Sequence, residues 1–138
     1  MEVTRQDERR LKLELRLAQL EKNEACQKEF LTFVKTIWPS FIQGRHHEII
    51  ADKLERVAKG ELKRLIINMA PRHTKSEFAS FLFPAWMMGK NPSMKIIQAT
   101  HTTELAVNFG RKVKNLLDTD EFHEVFPEVK LAVDSKAS

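Results

Sequence analysis

The first third of the chain alternates apolar and charged residues at the spacing of an amphipathic helix. Strong helix formers fill positions 5–24. Leu13, Leu17 and Leu20 lie there at i, i+4 and i+7, and Leu11 and Leu15 broaden the apolar face. This pattern predicts a helix that packs on its own domain or docks on a partner subunit. A coiled coil is less favoured because the pattern ends within three heptads.

Two further helices are predicted before residue 60. The apolar stripe over 30–37 has helical period, and Pro39 ends it because the residue before a proline avoids the helical conformation. Apolar positions recur at helical spacing again from 46 to 58, and Gly60 is a suitable stop. We therefore treat residues 1–40 as a helical N-terminal segment that precedes a different kind of domain.

After Gly60 the apolar residues occur in short runs instead of at helical spacing. The short apolar runs "RLIINM" (64–69) and "MKIIQA" (94–99) predict buried strands, and 129–133 begins a third. Strands that alternate with helices indicate βαβ units and a parallel sheet. We therefore predict an α/β domain over 41–138, with parallel β-strands flanked by helices. Two certain strands are few for such a sheet, so this range resembles part of a larger domain.

Helices are predicted after each of the first two strands. The first spans 76–83, and Pro84 ends or kinks it. The second is capped by Thr102 or Thr103 and continues to Leu117. A short helix or turn follows near 122–126.

Composition narrows the class of protein without identifying it. The 138 residues carry a net charge of +4, with 42% hydrophobic and 30% charged residues, as in a globular domain. The single cysteine, Cys26, excludes an internal disulfide framework and a cysteine-based zinc site. A charged N-terminus argues against a secretory signal, and the longest apolar stretch, near 81–88, is too short to cross a bilayer. A reducing cytoplasm is therefore expected.

The loop "APRHTKS" (70–76) has the parts of a phosphate-binding turn. It follows a predicted strand and precedes a predicted helix, so its backbone N–H groups can converge at a helix N-terminus. Lys75 can reach phosphate oxygens, Ser76 can bind Mg²⁺, and Arg72 adds a second cation.

The loop lacks the glycines of a regular Walker A motif. Thr74 occupies the second glycine position and Met69 the first. On the residues alone, a structural strand–loop–helix turn stays open beside a nucleotide site, and His73 is a loop histidine more readily than a catalytic base. His46 and His47 are adjacent and diverge on a helix, which disfavours a shared metal.

The segment "MAPRHTKSEFASFLFPAW" resembles the Walker A region of phage terminase large subunits, whose glycine-poor loop often reads "PPRHxKSE". The preceding "HHEIIADKLERVAKGELKRLIINM" and the following "KIIQATHTTELAVNFGRKVKNLL" are similar to the helices and strands that flank this loop in the family. The closing "FHEVFPEVKLAVDSKAS" is similar to the approach to the next conserved block. The resemblance covers about 41–138, and Ala70 replaces the first proline.

The resemblance implies a partial P-loop NTPase fold that binds ATP and Mg²⁺. By it, Lys75 binds the β- and γ-phosphates, Ser76 holds Mg²⁺, and Arg72 acts on the γ-phosphate. Pro71 shapes the loop, and His73 and Thr74 supply loop amides. Gln43, upstream of the loop, is a candidate for adenine contact.

The resemblance also implies a DNA-packaging motor. Its partners would be double-stranded DNA, the portal protein, the small terminase subunit and further copies of the large subunit, at the procapsid in the host cytoplasm. The acidic pair that completes such an ATPase is not recognisable here, because "LLDTDEF" follows a helix and Asp134 precedes no strand. We therefore expect an N-terminal fragment that binds ATP weakly and hydrolyses it negligibly.

Two other interpretations stay open. The chain could belong to a different P-loop machine, such as a helicase-like or kinase-like ATPase. It could also be an adaptor that binds protein or DNA without hydrolysis. Arg111, Lys112 and Lys114, with Lys90 and Lys95, form a candidate surface for DNA or a neighbouring subunit, or a solvated helix face.

Overall fold

The computed structural model describes residues 4–132, which form a helical assembly. One helical segment, Glu77–Leu82, has π-helical hydrogen bonding and runs directly into the α-helix that begins at Phe83. The α-helices in chain order are α1 (Arg5–Lys28), α2 (Phe30–Ile37), α3 (Arg45–Ala58), α4 (Phe83–Lys90), α5 (Thr103–Leu117) and α6 (Asp120–Val125).

The predicted α/β fold, a partial P-loop NTPase fold with a parallel sheet, is wrong, because residues 4–132 contain no β-strand. The segments 64–69 and 94–99 belong to no helix or strand, and neither do residues 129–132. Val133, the last position of the third predicted strand, lies outside the described residues. The chain in this range is therefore all-helical, with irregular connections where strands were expected.

The two segments keep the side-chain alternation of a strand without its pairing. Leu65, Ile67 and Met69 pack against the core, whereas Ile66 and Ile97 are 85% and 96% exposed. No backbone hydrogen bond joins the two segments within residues 4–132. Two short segments without further neighbours cannot satisfy a sheet's backbone groups or cover its second face. Alternation therefore predicted which side chains face the core, but not a ladder.

The helix predictions are confirmed in position. The α2 helix has the predicted bounds, Thr102 caps α5 through a hydrogen bond from the Leu105 N–H to its hydroxyl, and Gly60 takes a φ of 77° after α3. Pro84 does not end its helix. The wide π-helical turn precedes it, with the Phe83 N–H donating to the Phe78 carbonyl, and α4 then continues to Lys90.

Aromatic rings fill the centre of the core. The Phe30 ring centroid lies 5.5 Å from that of Phe78 and 5.4 Å from that of Trp86. The Phe33 centroid lies 6.2 Å from that of Phe122, and all five side chains are essentially inaccessible to solvent. These rings connect α2 to the π-helical segment, α4 and α6, so one core holds the helices together.

The core joins both sides of the predicted boundary at residue 40. The Trp86 indole N–H donates to the Cys26 carbonyl at 2.8 Å, which fixes α4 to the end of α1. Cys26 is buried and unpaired by any disulfide. No helix among residues 4–132 has the length and apolar character needed to cross a membrane. The domain boundary itself stays a prediction.

We expect Gly89→Ala to destabilise the protein and Gly110→Ala to stabilise it. A Cβ at Gly89 would lie 2.5 Å from the Cδ2 of Phe126, a buried ring, so overpacking should cost ~1–3 kcal/mol. A Cβ at Gly110, within α5, meets no atom within 4 Å, so alanine should gain ~0.5–1 kcal/mol in helix propensity. Urea unfolding of both variants measures this, and equal effects would contradict the packing.

Candidate phosphate-binding loop

The loop 70–76 lies between an irregular segment and the start of a helix. Helical hydrogen bonding begins at Lys75 and continues into the π-helical segment, where the Phe78 N–H donates to the Thr74 carbonyl at 2.9 Å. The loop curls around a cavity of about 460 Å³ that is lined only by its own residues and their neighbours, from Met69 to Glu77. The predicted loop residues are therefore brought together around one concave space.

The backbone of this loop has an unusual conformation at two positions. Arg72 has a φ of 65° and Thr74 a φ of 60°, and they are the non-glycine residues with positive φ within residues 4–132. For a β-branched residue such a φ is a true outlier, which glycine would relieve. Thr74 is the position at which a Walker A motif has its second glycine. The structure therefore keeps the conformation that the glycine serves, although threonine occupies the position.

Left-handed residues next to right-handed ones turn successive N–H groups toward the same side, which makes an anion-binding concavity. Here Thr74, with a φ of 60°, directly precedes Lys75 and Ser76, which have the right-handed conformation of the first helical turn. A helix N-terminus adds unpaired N–H groups and a partial positive charge. The loop therefore combines both backbone features that favour a bound anion.

A chain of hydrogen bonds holds Thr74 in this conformation. The Gly44 N–H donates to His47 Nδ1 at 2.8 Å, so the imidazole proton lies on Nε2 when His47 is neutral. His47 Nε2 then donates to the Thr74 hydroxyl at 2.6 Å, and that hydroxyl donates to the His73 carbonyl at 2.6 Å. Each of these three hydrogen bonds therefore has a defined donor and a defined acceptor. The start of α3 is thereby tied to the loop.

His47 is buried in a ring of aromatic side chains. It is 5% exposed, and its ring centroid lies 4.7 Å from that of Phe41 and 5.1 Å from that of Phe78. Burial lowers the pKa of His47, and the neighbouring imidazoles of His46 and His73 lower this pKa further when they are protonated. The neutral form is therefore favoured, as the hydrogen-bond chain requires.

The charged side chains of the loop face solvent. Arg72 and Lys75 are exposed, and neither forms an ion pair with an acidic residue within the described part of the chain. Ser76 is exposed in the first helical turn. His73 is exposed too, and its Nδ1 lies 2.9 Å from the Pro71 carbonyl, to which it donates. Two cations are thus available to a ligand at the mouth of the cavity.

Glu77, the residue that follows the loop, connects the loop to α5 through an ion pair. The Lys112 ammonium lies 3.0 Å from a carboxylate oxygen of Glu77, and 5.7 Å from the ring centroid of Phe81. Among the predicted basic residues, Lys112 is therefore engaged within the protein. Arg111 is exposed on the same helix, and Lys114 is partly buried. The predicted contact with DNA or a subunit stays a prediction for these residues.

Gln43 lies close to the loop in connectivity but does not line its cavity. It precedes Gly44, the first member of the hydrogen-bond chain, and its side-chain amide donates to Glu48 at 2.5 Å. An adenine contact would require this hydrogen bond to be exchanged. The predicted role of Gln43 stays a prediction.

The loop offers one oxygen ligand suited to Mg²⁺. Within residues 4–132, no group of three or more His, Cys, Asp or Glu side chains is arranged to hold a metal ion. Mg²⁺ bound with nucleotides usually takes one or two protein ligands, its remaining positions being filled by phosphate oxygens and water. Ser76, exposed beside the cavity, fits that requirement as a single ligand.

Comparison with protein-family models, with curated proteins and with solved structures finds no match to this chain. The geometry of the loop therefore carries the functional interpretation.

Sequence reasoning missed His47. The adjacency of His46 and His47 bears only on a shared metal, and nothing in the sequence indicates that residue 47 contacts residue 74. A usable signal is the glycine before the helix. The side chain three residues after a helix N-cap commonly accepts a hydrogen bond from the backbone N–H of the cap residue.

We expect the stability of the protein to fall as the pH is lowered below about 6.5, the ordinary pKa of histidine. The pKa of His47 is lowered in the folded state, so its contribution is complete above the unfolded pKa and is lost as the pH falls toward the folded value. Urea unfolding at several pH values measures this loss. His47→Gln keeps an N–H donor for Thr74 and should flatten the profile, whereas the control His101→Gln, at an exposed position, should not.

Proposed function

We propose that the loop 70–76 binds the β- and γ-phosphates of ATP, and that the chain is the N-terminal part of a DNA-packaging ATPase of the terminase large subunit type. The observation that carries the phosphate site is the left-handed Thr74 directly before an exposed Lys75 at a helix start, with Arg72 left-handed two residues earlier. The assignment to the terminase type rests on the sequence resemblance. The proposal depends on this loop and not on a parallel sheet.

The local chemistry supports a triphosphate better than a neutral ligand. The backbone N–H groups of a concave turn, a helix N-terminus and two exposed cations all favour negative charge. The guanidinium of Arg72 can make paired hydrogen bonds to phosphate oxygens, and Lys75 supplies a compact charge. The cavity of about 460 Å³ is open to solvent at these side chains.

Mg²⁺ would be held by Ser76 together with phosphate oxygens. When bound, it would neutralise charge on the phosphates during phosphoryl transfer. The residues of this chain bind and orient the phosphates: Lys75 and Arg72 by charge, and His47 by holding Thr74. The acidic pair that would hold Mg²⁺ and orient the attacking water is not recognisable in the sequence, so we expect binding without efficient hydrolysis.

The macromolecular partners follow from the same proposal. They are double-stranded DNA, a portal protein, a small terminase subunit and further copies of the large subunit, and the setting is a procapsid in a host cytoplasm. These partners rest on the sequence resemblance, whereas the phosphate site also rests on the geometry of the loop.

We expect Lys75→Ala to weaken ATP binding about tenfold or more. A hydrogen bond to a charged group contributes about 1.5–3 kcal/mol, and 1.4 kcal/mol is a factor of ten in affinity. Titration of a fluorescent ATP analogue in the presence of Mg²⁺ measures the affinity. Lys63→Ala, which removes an exposed lysine outside the loop, is the matched control and should leave it unchanged.

Three results would contradict the proposal. One is the absence of binding at any concentration of nucleotide, and another is equal affinity in Lys75→Ala and in the control. The third is phosphate release well above background that Lys75→Ala removes, which would contradict the expectation that the chain does not turn over ATP. Competition by inorganic triphosphate but not by adenosine would show that the site recognises the phosphates of ATP rather than its nucleoside.

A further inference from the structure

The first part of α1 is exposed along its whole length. All residues from 4 to 22 are exposed, a helical length of roughly 27 Å at 1.5 Å per residue. Contacts begin at its C-terminal end, where the Asn23 side chain donates to the Glu124 carbonyl at 2.8 Å and Gln27 donates to the Val125 carbonyl at 2.6 Å. The helix is therefore anchored at one end and extends into solvent at the other.

This exposed arm carries more apolar surface than a solvated helix needs. Leu13, Leu17 and Leu20 are 63%, 58% and 57% exposed, and their spacing of four and three residues places them on one face. Most of the stability of a helix in a protein comes from packing of its apolar face. Local features hold this one, including the capping hydrogen bonds between Thr4 and Asp7 and an ion pair between Arg10 and Glu14 at 2.9 Å.

The charges beside this face are complementary to the same face of a second copy. If Leu17 occupies position a of a heptad, Leu13 and Leu20 occupy d. Arg9 and Arg16 then occupy the g positions, and Glu14 and Glu21 occupy the e positions. In a parallel pair each g residue meets the e residue five positions later on the other helix.

Both of those contacts pair opposite charges. Arg9 meets Glu14 of the second copy, and Arg16 meets its Glu21. In an antiparallel pair, g meets g and e meets e, which brings arginine to arginine and glutamate to glutamate. The charges therefore select the parallel arrangement. Leu11 and Leu15 were expected to broaden this face, but they lie on the opposite side of the helix, because each is two residues from Leu13 and a helix turns about 100° per residue. That side has no such double pairing.

We propose that the exposed arm of α1 is a self-association surface that pairs in parallel with α1 of a second copy through Leu13, Leu17 and Leu20. The seam has three apolar core positions within eight residues, and the charged Arg10 and Glu24 occupy the a positions on either side, so the association is weak and depends on concentration and on salt. It requires neither nucleotide nor the loop, and it stands or falls independently of the proposed ATP site.

Sedimentation of the full chain over a range of concentrations tests the seam. Leu13→Gln with Leu20→Gln should weaken dimer formation about tenfold or more, since each leucine loses apolar burial. The matched control, Leu11→Gln with Leu15→Gln, changes two equally exposed leucines on the other face and should leave dimer formation unchanged. These leucines are all more than half exposed, so thermal unfolding should confirm that all variants remain folded. A chain that stays monomeric throughout, or equal loss in both double variants, overturns the proposal.

Charge exchange and cross-linking test the orientation. Arg9→Glu with Arg16→Glu, or Glu14→Arg with Glu21→Arg, should each abolish self-association, and an equimolar mixture of the two should restore it as a heterodimer. Gln6→Cys lies at a d position near the start of the arm, so it should form an intermolecular disulfide only in a parallel pair. Cross-linking instead at Leu11→Cys, or no recovery in the mixture, would show that another face or another partner uses this helix.

Discussion

The ring of Phe78 lies where the aromatic core meets the loop. Its centroid is 5.5 Å from those of Phe30 and Phe41, and 5.1 Å from that of His47. Its backbone N–H donates to the Thr74 carbonyl, so the same residue is fixed by the core and fixes the first helical hydrogen bond after the loop. The end of the loop 70–76 is therefore held in place by the packing around this ring, because close-packed rings permit little displacement.

The loop has adopted a glycine-type conformation without glycine. Non-glycine residues in the left-handed region cost on the order of 1–3 kcal/mol each, so Arg72 and Thr74 store strain that the surroundings must offset. The hydrogen bonds from His47 to Thr74 and from Thr74 to the His73 carbonyl provide part of that compensation. Threonine also supplies the hydroxyl to which His47, in α3, donates its hydrogen bond.

Helices were predictable because their signals are local. The stripe of apolar residues over α2 and the cap at Thr102 depend on neighbours within one or two turns, and both are present in the structure. The strands failed for the opposite reason. Ile66 and Ile97 have the residue types of buried strands, but a sheet needs partner strands far away in sequence and a covering layer, and residues 4–132 provide neither. The alternation of apolar and polar side chains indicated which face of each segment is buried, but it carries no information about hydrogen-bonded strand pairing.

The sequence by itself determined which residues form the loop, where the helices lie except for the continuation past Pro84, and that the face of α1 carries leucines between opposite charges. Only the tertiary structure decided that Thr74 takes a left-handed conformation, that His47 holds it, that Lys112 pairs with Glu77, and that the leucine face of α1 is uncovered. The difference has one physical reason. Propensity and capping act over a few residues along the chain, whereas burial, strain and the pairing of distant side chains exist only once the chain has packed on itself.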